Sequence, residues 1–183
     1  MTLDPNVTLS ASDTRSDADQ KRLLTLSKAV YPPSESANWL GRHLDWSKPE
    51  WDVYVVDDQL GLVSYVGVVA REAKHNAMPV RVGGIGGVMT HPSARGRGFA
   101  AAGLTRAMDF FRAADPPIEF ALLVCRTSLL DYYSRLGWRQ FQGELLTTQS
   151  GGTEVFEFNK VMVIDISGRA PAAGSIDLKG PPW

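Results

Sequence analysis

Four consecutive residues, Arg95-Gly96-Arg97-Gly98, stand between an apolar run ending in Val88-Met89-Thr90 and an Ala-rich stretch that opens with Phe99-Ala100. A helix beginning there leaves its first N–H groups without intrahelical acceptors, and its dipole adds about half a positive charge at that end. Glycines at 96 and 98 remove the Cβ atoms that would hold a phosphate off the backbone, while Arg95 and Arg97 offer diffuse or bidentate positive charge. The predicted chemistry is the binding of a pyrophosphate or a 3′-phosphate. Two common phosphate loops are excluded. A Walker loop needs Lys-Ser/Thr where Phe99-Ala100 stands, and a dinucleotide fingerprint needs a third glycine where Ala101 stands. The plain alternative is a solvated basic surface turn.

Such a loop needs a strand before it and a helix after it. Val80 to Thr90 reads as that strand, with glycines at 83, 84, 86 and 87 that predict a bulge suited to a bound acyl chain. Ala100 to Ala113 carries Ala, Leu, Met and Phe at helical spacing and stops before Pro116-Pro117. Upstream, Val7 to Ser10 predicts a first strand. A helix follows from the Ser16-Asp17 region to Tyr31, where Pro32-Pro33 ends it, and then a short helix from the Ser34/Ser36 region to Leu44. Trp51 to Val56 and Leu62 to Ala70 form a hairpin about the Asp57 to Gly61 turn. Downstream, Phe120 to Val124 reads as a buried strand and Arg126 to Leu136 as a helix closed by Gly137. Gln140 to Thr147 and Val155 to Ile166 read as final strands. Residues 1–166 are read as one domain and 167–183, rich in Gly, Ala and Pro, as an irregular C-terminal tail.

Composition narrows the function classes. Basic and acidic residues number 19 and 20, so no global charge excess points to nucleic acid or an anionic membrane, and any basic role is local. The single cysteine, Cys125, excludes an intrachain disulfide and is expected to pack within its apolar strand rather than act as a nucleophile. His91, followed by Pro92, is expected to be a turn residue. No apolar run reaches membrane-spanning length and the N-terminus lacks a signal-like pattern, so a cytoplasmic location is expected, with no metal cofactor.

Arg95-x-x-Gly98-x-Ala100 after a strand resembles the acyl-CoA pyrophosphate loop of the GNAT N-acetyltransferases, and Tyr133-x-x-x-Gly137-Trp138 resembles the end of the helix after that family's fifth strand. The two matches lie in the required order, one helix, one strand and one helix apart. The resemblance implies an α/β (α+β) GNAT fold, a mixed, mostly antiparallel, splayed sheet flanked by helices. It implies acetyl-CoA as cosubstrate, lying between the strand ending at Thr90 and the strand ending at Cys125. Val88, Met89 and Thr90 would pair with the pantetheine arm, Arg95 to Ala100 would hold the pyrophosphate, and the backbone near Met89 would stabilise the oxyanion. Tyr133 would protonate the departing thiolate, with Tyr132 as its substitute. The family often carries Asn where Arg126 stands.

The chain also resembles the aminoglycoside 2′-N-acetyltransferases along Val163 to Ser167, the Arg81 to Arg97 segment, Asn38-Trp39 and the ending in Trp183. That likeness makes Glu35, Asn38, Trp39, Gly86 and Trp183 candidate acceptor-binding residues, with the indole and terminal carboxylate of Trp183 against a sugar. Where that group has acids, this chain has Asn38, Gly86 and Pro181, which points to an acceptor with fewer amines than deoxystreptamine drugs, such as kasugamycin. The partner is then a small amine, with neither nucleic acid nor membrane involved, and homodimerisation is left open. A general acetyltransferase of small amines or peptide N-termini, and a non-catalytic acyl-CoA-binding module, are the competing readings.

Overall fold

The computed structural model describes residues 5–37 and 39–183. In chain order the elements are β1 (Asn6–Ala11), α1 (Asp17–Val30), α2 (Pro33–Ser36), β2 (Trp51–Asp57), β3 (Gly61–His75), β4 (Met78–Thr90), α3 (Phe99–Arg112), β5 (Phe120–Cys125) and α4 (Leu130–Arg135). They continue with β6 (Arg139–Gln140), β7 (Glu144–Gln149), β8 (Gly152–Val155), β9 (Lys160–Asp165) and β10 (Ser175–Asp177). Ser16 caps α1 by accepting the Asp19 N–H at 3.1 Å, and the helix stops before Pro32 because a proline cannot continue the ladder.

The described strands form one mixed sheet in the order β6-β9-β5-β4-β3-β10-β7-β8, with β2 on β3 and β1 on β2. Only β4–β5 and β10–β7 run parallel. The long strand β3 serves two partners on one edge: its first half pairs with β2 and its last residues with β10. The sheet is thus split lengthwise, one half built by the N-terminal strands and the other by the C-terminal ones.

Helices lie on both faces. On one, α3 buries Phe99, Gly103, Leu104, Ala107, Met108 and Phe111, an i, i+4 stripe that matches the helical spacing of the sequence. Gly103 allows this close approach, since a Cβ there would stand 3.0 Å from Val66 and 3.1 Å from Val55. On the other face, Leu26 of α1 packs with Tyr54, Tyr65 and Met89. The alternation along β2 separates the faces: Val53 and Tyr54 belong to different clusters.

Five readings change. The short helix expected from the Ser34/Ser36 region to Leu44 is α2 followed by a separate 3₁₀ turn, Leu40–His43, and the strand expected from Val155 to Ile166 is the last residue of β8 and all of β9, broken at 156–159. The tail is not irregular throughout: β10 inserts between β3 and β7, pairing Ile176 with His75 and with Leu145. Unsatisfied edges of two strands left apart by the split recruit it, a long-range cause that its Gly/Pro-rich flanks conceal. The segment read as one strand from Gln140 is two, β6 and β7, broken at 141–143. The helix read from Arg126 starts as a single 3₁₀ turn, Thr127–Leu129, before α4 begins.

Candidate active site

Parallel pairing of β4 with β5 runs from Val82↔Phe120 to Ile85↔Leu123 and ends there. Beyond it, Gly86 to Thr90 stays paired to β3 only, and Val124 and Cys125 to β9 only. The inner edges of the two strands therefore diverge, and a cavity of about 1380 Å³ opens between them. A bulge drives the divergence. Between the pairs Gly67↔Gly86 and Tyr65↔Met89, β4 carries one more residue than β3, and Gly87 there has φ +58°. Val88, Met89 and Thr90 all line the cavity, where their backbone edge is not engaged by β5.

One end of the cavity is the N-terminus of α3. Gly98 is its cap, with φ +83° and no side chain to bond the first-turn N–H groups. Gly96 has φ +75°, and a Cβ built at either glycine would meet nothing within 4 Å. An anion can therefore reach donors that no side chain of the described residues occupies. Gly96, Gly98, Phe99 and Ala100 line this end together with Arg95, Arg126 and Arg135. Arg97 does not line the cavity. Its guanidinium lies 3.4 Å from Asp57 Oδ2 and 4.9 Å from the Phe99 ring centroid, two contacts that turn it outward. The cationic contribution expected from its side chain thus goes to a surface pair.

Tyr133 is buried on α4 and lines the cavity at the mouth of the split. Among the described residues its hydroxyl has no hydrogen-bond partner. Burial pushes its hydroxyl above the ordinary tyrosine value, with the Cys125 thiol and its tyrosine neighbours adding to the effect, so it is a neutral O–H at physiological pH. Tyr132 also lines the cavity, edge-on to Tyr133 at 5.1 Å. Gly137, with φ +89°, ends the turn and lets Trp138 fold back against Tyr133. Cys125 is buried and its thiol is pushed up to about 11. His91 is a turn residue: its Nδ1 lies 2.7 Å from Ser93 Oγ and receives the Ser93 N–H at 3.3 Å.

At the opposite end the walls are aromatic. Trp183 is buried, donates its indole N–H to Leu122 O at 3.0 Å and lies under the Arg71 guanidinium at 5.1 Å. A Cβ on Gly84 would run into the Trp183 indole, and one on Gly86 would come within 2.7 Å of its carbonyl carbon. The strand glycines read as a seat for an acyl chain therefore include two that seat the tail's tryptophan. Arg71 fixes the approach, donating to Pro181 O at 2.8 Å and to Ser47 Oγ at 2.6 Å, while Ser47 N–H donates to Pro182 O at 2.7 Å. Gly86 and Trp39 line the cavity, and Trp39 stacks on Trp46 at 5.6 Å. Asn38 lies outside the described residues, and Glu35 belongs to α2 with its side chain likewise outside the description. No Asp or Glu side chain is among the described residues that line the cavity.

Beneath this wall lies a group the sequence reading missed. Asp52 is fully buried and takes a bidentate pair from Arg15, at 2.7 and 2.9 Å, plus the hydroxyls of Tyr65 at 2.8 Å and Tyr54 at 3.0 Å. Burial works to raise its carboxyl, but the hydrogen bonds from Arg15 and Tyr65 outweigh that and hold it below the ordinary carboxylate range.

Residues 13–141 match the model of the acetyltransferase (GNAT) domain. The chain belongs to the GNAT acetyltransferase family. Its fold is shared with Escherichia coli ElaA, at 14% identity over 88% of this chain and 99% of that one, with a TM-score of 0.60. It is likewise similar to the GNAT N-acetyltransferase YhbS of Escherichia coli, crystallised with CoA, at 11% identity over 98% and 93% with a TM-score of 0.60. A GNAT family acetyltransferase of Brucella melitensis, crystallised with acetyl-CoA, gives 11% over 93% and 94% with a TM-score of 0.57. No curated protein matches the sequence at a significant level. No helix of the described residues is long and apolar enough to cross a membrane, and no group of three His, Cys, Asp or Glu side chains among them could hold a metal ion.

In this GNAT acetyltransferase the sequence does carry a signal for Tyr65. It sits at alternate spacing with Val63 and Gly67 on β3, and an aromatic residue next to an interior glycine marks a wall with room beside it. Its partners Asp52 and Arg15 carry no such signal, since they lie 13 and 50 residues away in the chain.

Proposed function

We propose that the protein acetylates a primary amine with acetyl-CoA. The observation that carries this reading is the free inner edge of β4, Gly86 to Thr90, running from a helix N-terminus without a side-chain cap to a tyrosine hydroxyl that has no hydrogen-bond partner among the described residues. Acetyl-CoA fits this arrangement as substrate. Its pyrophosphate would meet the N–H groups of Gly98 to Ala100, with Arg95 beside them. Its pantetheine amides would pair with Val88 and Thr90 as another strand would. The thioester carbonyl then reaches the bulge, where a backbone N–H on the free edge, that of Val88, is the candidate donor to the oxyanion, since the Met89 N–H expected in that role faces β3 opposite Tyr65. The amine nitrogen attacks that carbonyl and the C–S bond breaks. Tyr133 passes its proton to the sulfur so that CoA leaves as the free thiol. The nitrogen gives up one proton as the amide forms, and that proton, carried by water, replaces the one that Tyr133 gave to sulfur, so the protein ends the cycle neutral as it began.

For the acceptor, we propose a sparsely cationic amino sugar of the kasugamycin kind. Two observations support it. Trp183 lines the acceptor end of the cavity, and no acidic side chain among the described lining residues is present to pair with a polyamine. The stacked Trp39 and Trp46 favour a second reading, a small amine with a flat apolar body. Thiol release from acetyl-CoA decides among them, with kasugamycin, kanamycin, gentamicin and 2-phenylethylamine offered in turn. Kasugamycin should lead. A preference for kanamycin and gentamicin would overturn the acceptor assignment, and thiol release with none of a wide set of amines would overturn the activity.

A further inference from the structure

Asp52 is a carboxylate with no direct access to the cavity, and it dictates which way two hydroxyls point. A carboxylate only accepts, so Tyr65 and Tyr54 must both spend their O–H on it, at 2.8 and 3.0 Å. Arg15 holds the carboxylate charged and in place through two parallel bonds. The oxygen of Tyr65 is then left with its lone pairs alone, and donation to a charged acceptor strengthens it as an acceptor in turn. Tyr65 lines the cavity and Tyr54 does not. A methyl built on Gly67 would stand 2.9 Å from Gly86 O, 3.2 Å from Pro49 and 3.3 Å from the Tyr65 hydroxyl oxygen, and all four of these residues belong to the cavity wall. The Tyr65 hydroxyl oxygen, in a residue that is 4% exposed, therefore lies just behind the wall at Gly67, with no side chain on that glycine to cover it. On the strand ladder Tyr65 is the partner of Met89, and its ring edge would lie 3.5 Å from a methyl on Gly87, so it borders the bulge itself.

We infer that Tyr65 is the hydrogen-bond acceptor for the N–H of the incoming primary amine, and that Asp52 is a positioning residue that fixes the direction of the Tyr65 hydroxyl. The inference rests on the acetyltransferase reading for its setting, not for its geometry. It assigns amine recognition to a neutral oxygen backed by a buried charge, in a cavity whose described lining has no acidic side chain. A neutral acceptor holds the amine without stabilising its protonated form as a carboxylate at the wall would, and only the unprotonated nitrogen can attack a thioester.

The test separates binding from turnover. Protein carrying tyrosine labelled at Cζ is titrated with methylamine, the smallest primary amine, and followed by carbon NMR, with resonances assigned through Tyr65→Phe and Tyr54→Phe. The Tyr65 signal should move and saturate while the Tyr54 signal stays. In Asp52→Asn the carboxamide can donate to the Tyr65 oxygen, so the response should be lost. Should that variant not fold, the two tyrosine variants carry the comparison alone. In thiol-release assays with the best amine of the panel, Tyr65→Phe should raise acceptor KM by about three- to tenfold, the worth of one hydrogen bond, with kcat and acetyl-CoA affinity nearly unchanged. Tyr54→Phe, which takes the same bond from Asp52 behind the wall, should leave KM as it was. An unmoved Tyr65 signal, or equal effects of the two variants on KM, overturns the inference. A moving Tyr65 signal without thiol release from any amine upholds the inference and overturns the acetyltransferase reading instead.

Discussion

At its anion end the cavity is walled mainly by one continuous stretch, Val88 to Ala101, with Arg126 and Arg135 beside it. At its aromatic end it is walled by side chains from the 39–49 segment, β3 and the tail. The first end needs only local instructions: a strand, a bulge, two left-handed glycines and a helix start. The second exists only once β10 has docked between β3 and β7, because that strand carries Trp183 onto Gly84 and Gly86. The difference teaches that one chain can set its binding of the common cosubstrate by backbone geometry and its choice of acceptor by tertiary packing. The two functions can then be broken separately.

The largest separation should come from Tyr133, which stands where the two ends meet. Removing its hydroxyl in Tyr133→Phe takes away a positioned acid, typically worth about 10²–10⁴-fold in rate. Steady-state kinetics should show that loss in kcat, while calorimetry finds acetyl-CoA affinity unchanged. If Tyr132→Phe shows the loss instead, the edge-on neighbour is the donor and the assignment passes to it.

The anion end alone should respond to Gly98→Ala. The added methyl enters open space that a pyrophosphate must occupy, and the left-handed φ of +83° adds about 1–2 kcal/mol of strain. Loss of one charge-assisted contact, about 1.5 kcal/mol, predicts a roughly tenfold weaker CoA affinity by calorimetry, with acceptor KM little changed. Unchanged affinity in a folded variant would remove this loop from the cosubstrate site.

The same contrast explains what could be read in advance. The strand, loop and helix from Val80 to Ala113 were legible because glycine, proline and apolar spacing act within one turn or one strand pair. Gly87 at the bulge and Gly137 at the end of α4 were legible for the same reason. The role of Gly84 and Gly86 was not legible, since nothing within a few residues tells that Trp183, 99 and 97 positions later, will lie on them. The outward turn of Arg97 toward Asp57 was likewise set by a partner 40 positions away. Strand β10 was missed because Ser175-Ile176-Asp177 is too short to show a period, and its stability comes from the two edges it joins.

The aromatic end should respond to Trp183→Phe more gently. The ring stays beneath Arg71, but the indole N–H no longer satisfies Leu122 O, a buried bond of 3.0 Å worth about 0.5–1.5 kcal/mol. Acceptor KM should rise by about two- to tenfold while acetyl-CoA affinity holds. An effect on acetyl-CoA instead would mean that the tail supports the split as a whole and that the two ends are not independent.

The smallest effect is expected at Cys125, which lies on the β5 edge of the split between the two ends. Burial pushes its thiol up to about 11, because the thiolate would lose its water shell without gaining a cation. Well below that value the group is a neutral thiol, a poor nucleophile and a small packing residue. Alkylation by iodoacetamide should therefore be slow at pH 8 and keep rising as pH climbs toward 11, where an ordinary cysteine would level off near 8.5–9. Cys125→Ala should leave kcat within about twofold, since no proton or acyl group passes through the sulfur. A large loss of kcat in that variant, together with alkylation that saturates near pH 8, would place a reactive thiolate in the split. The acetyl group would then travel through the sulfur rather than directly to the amine.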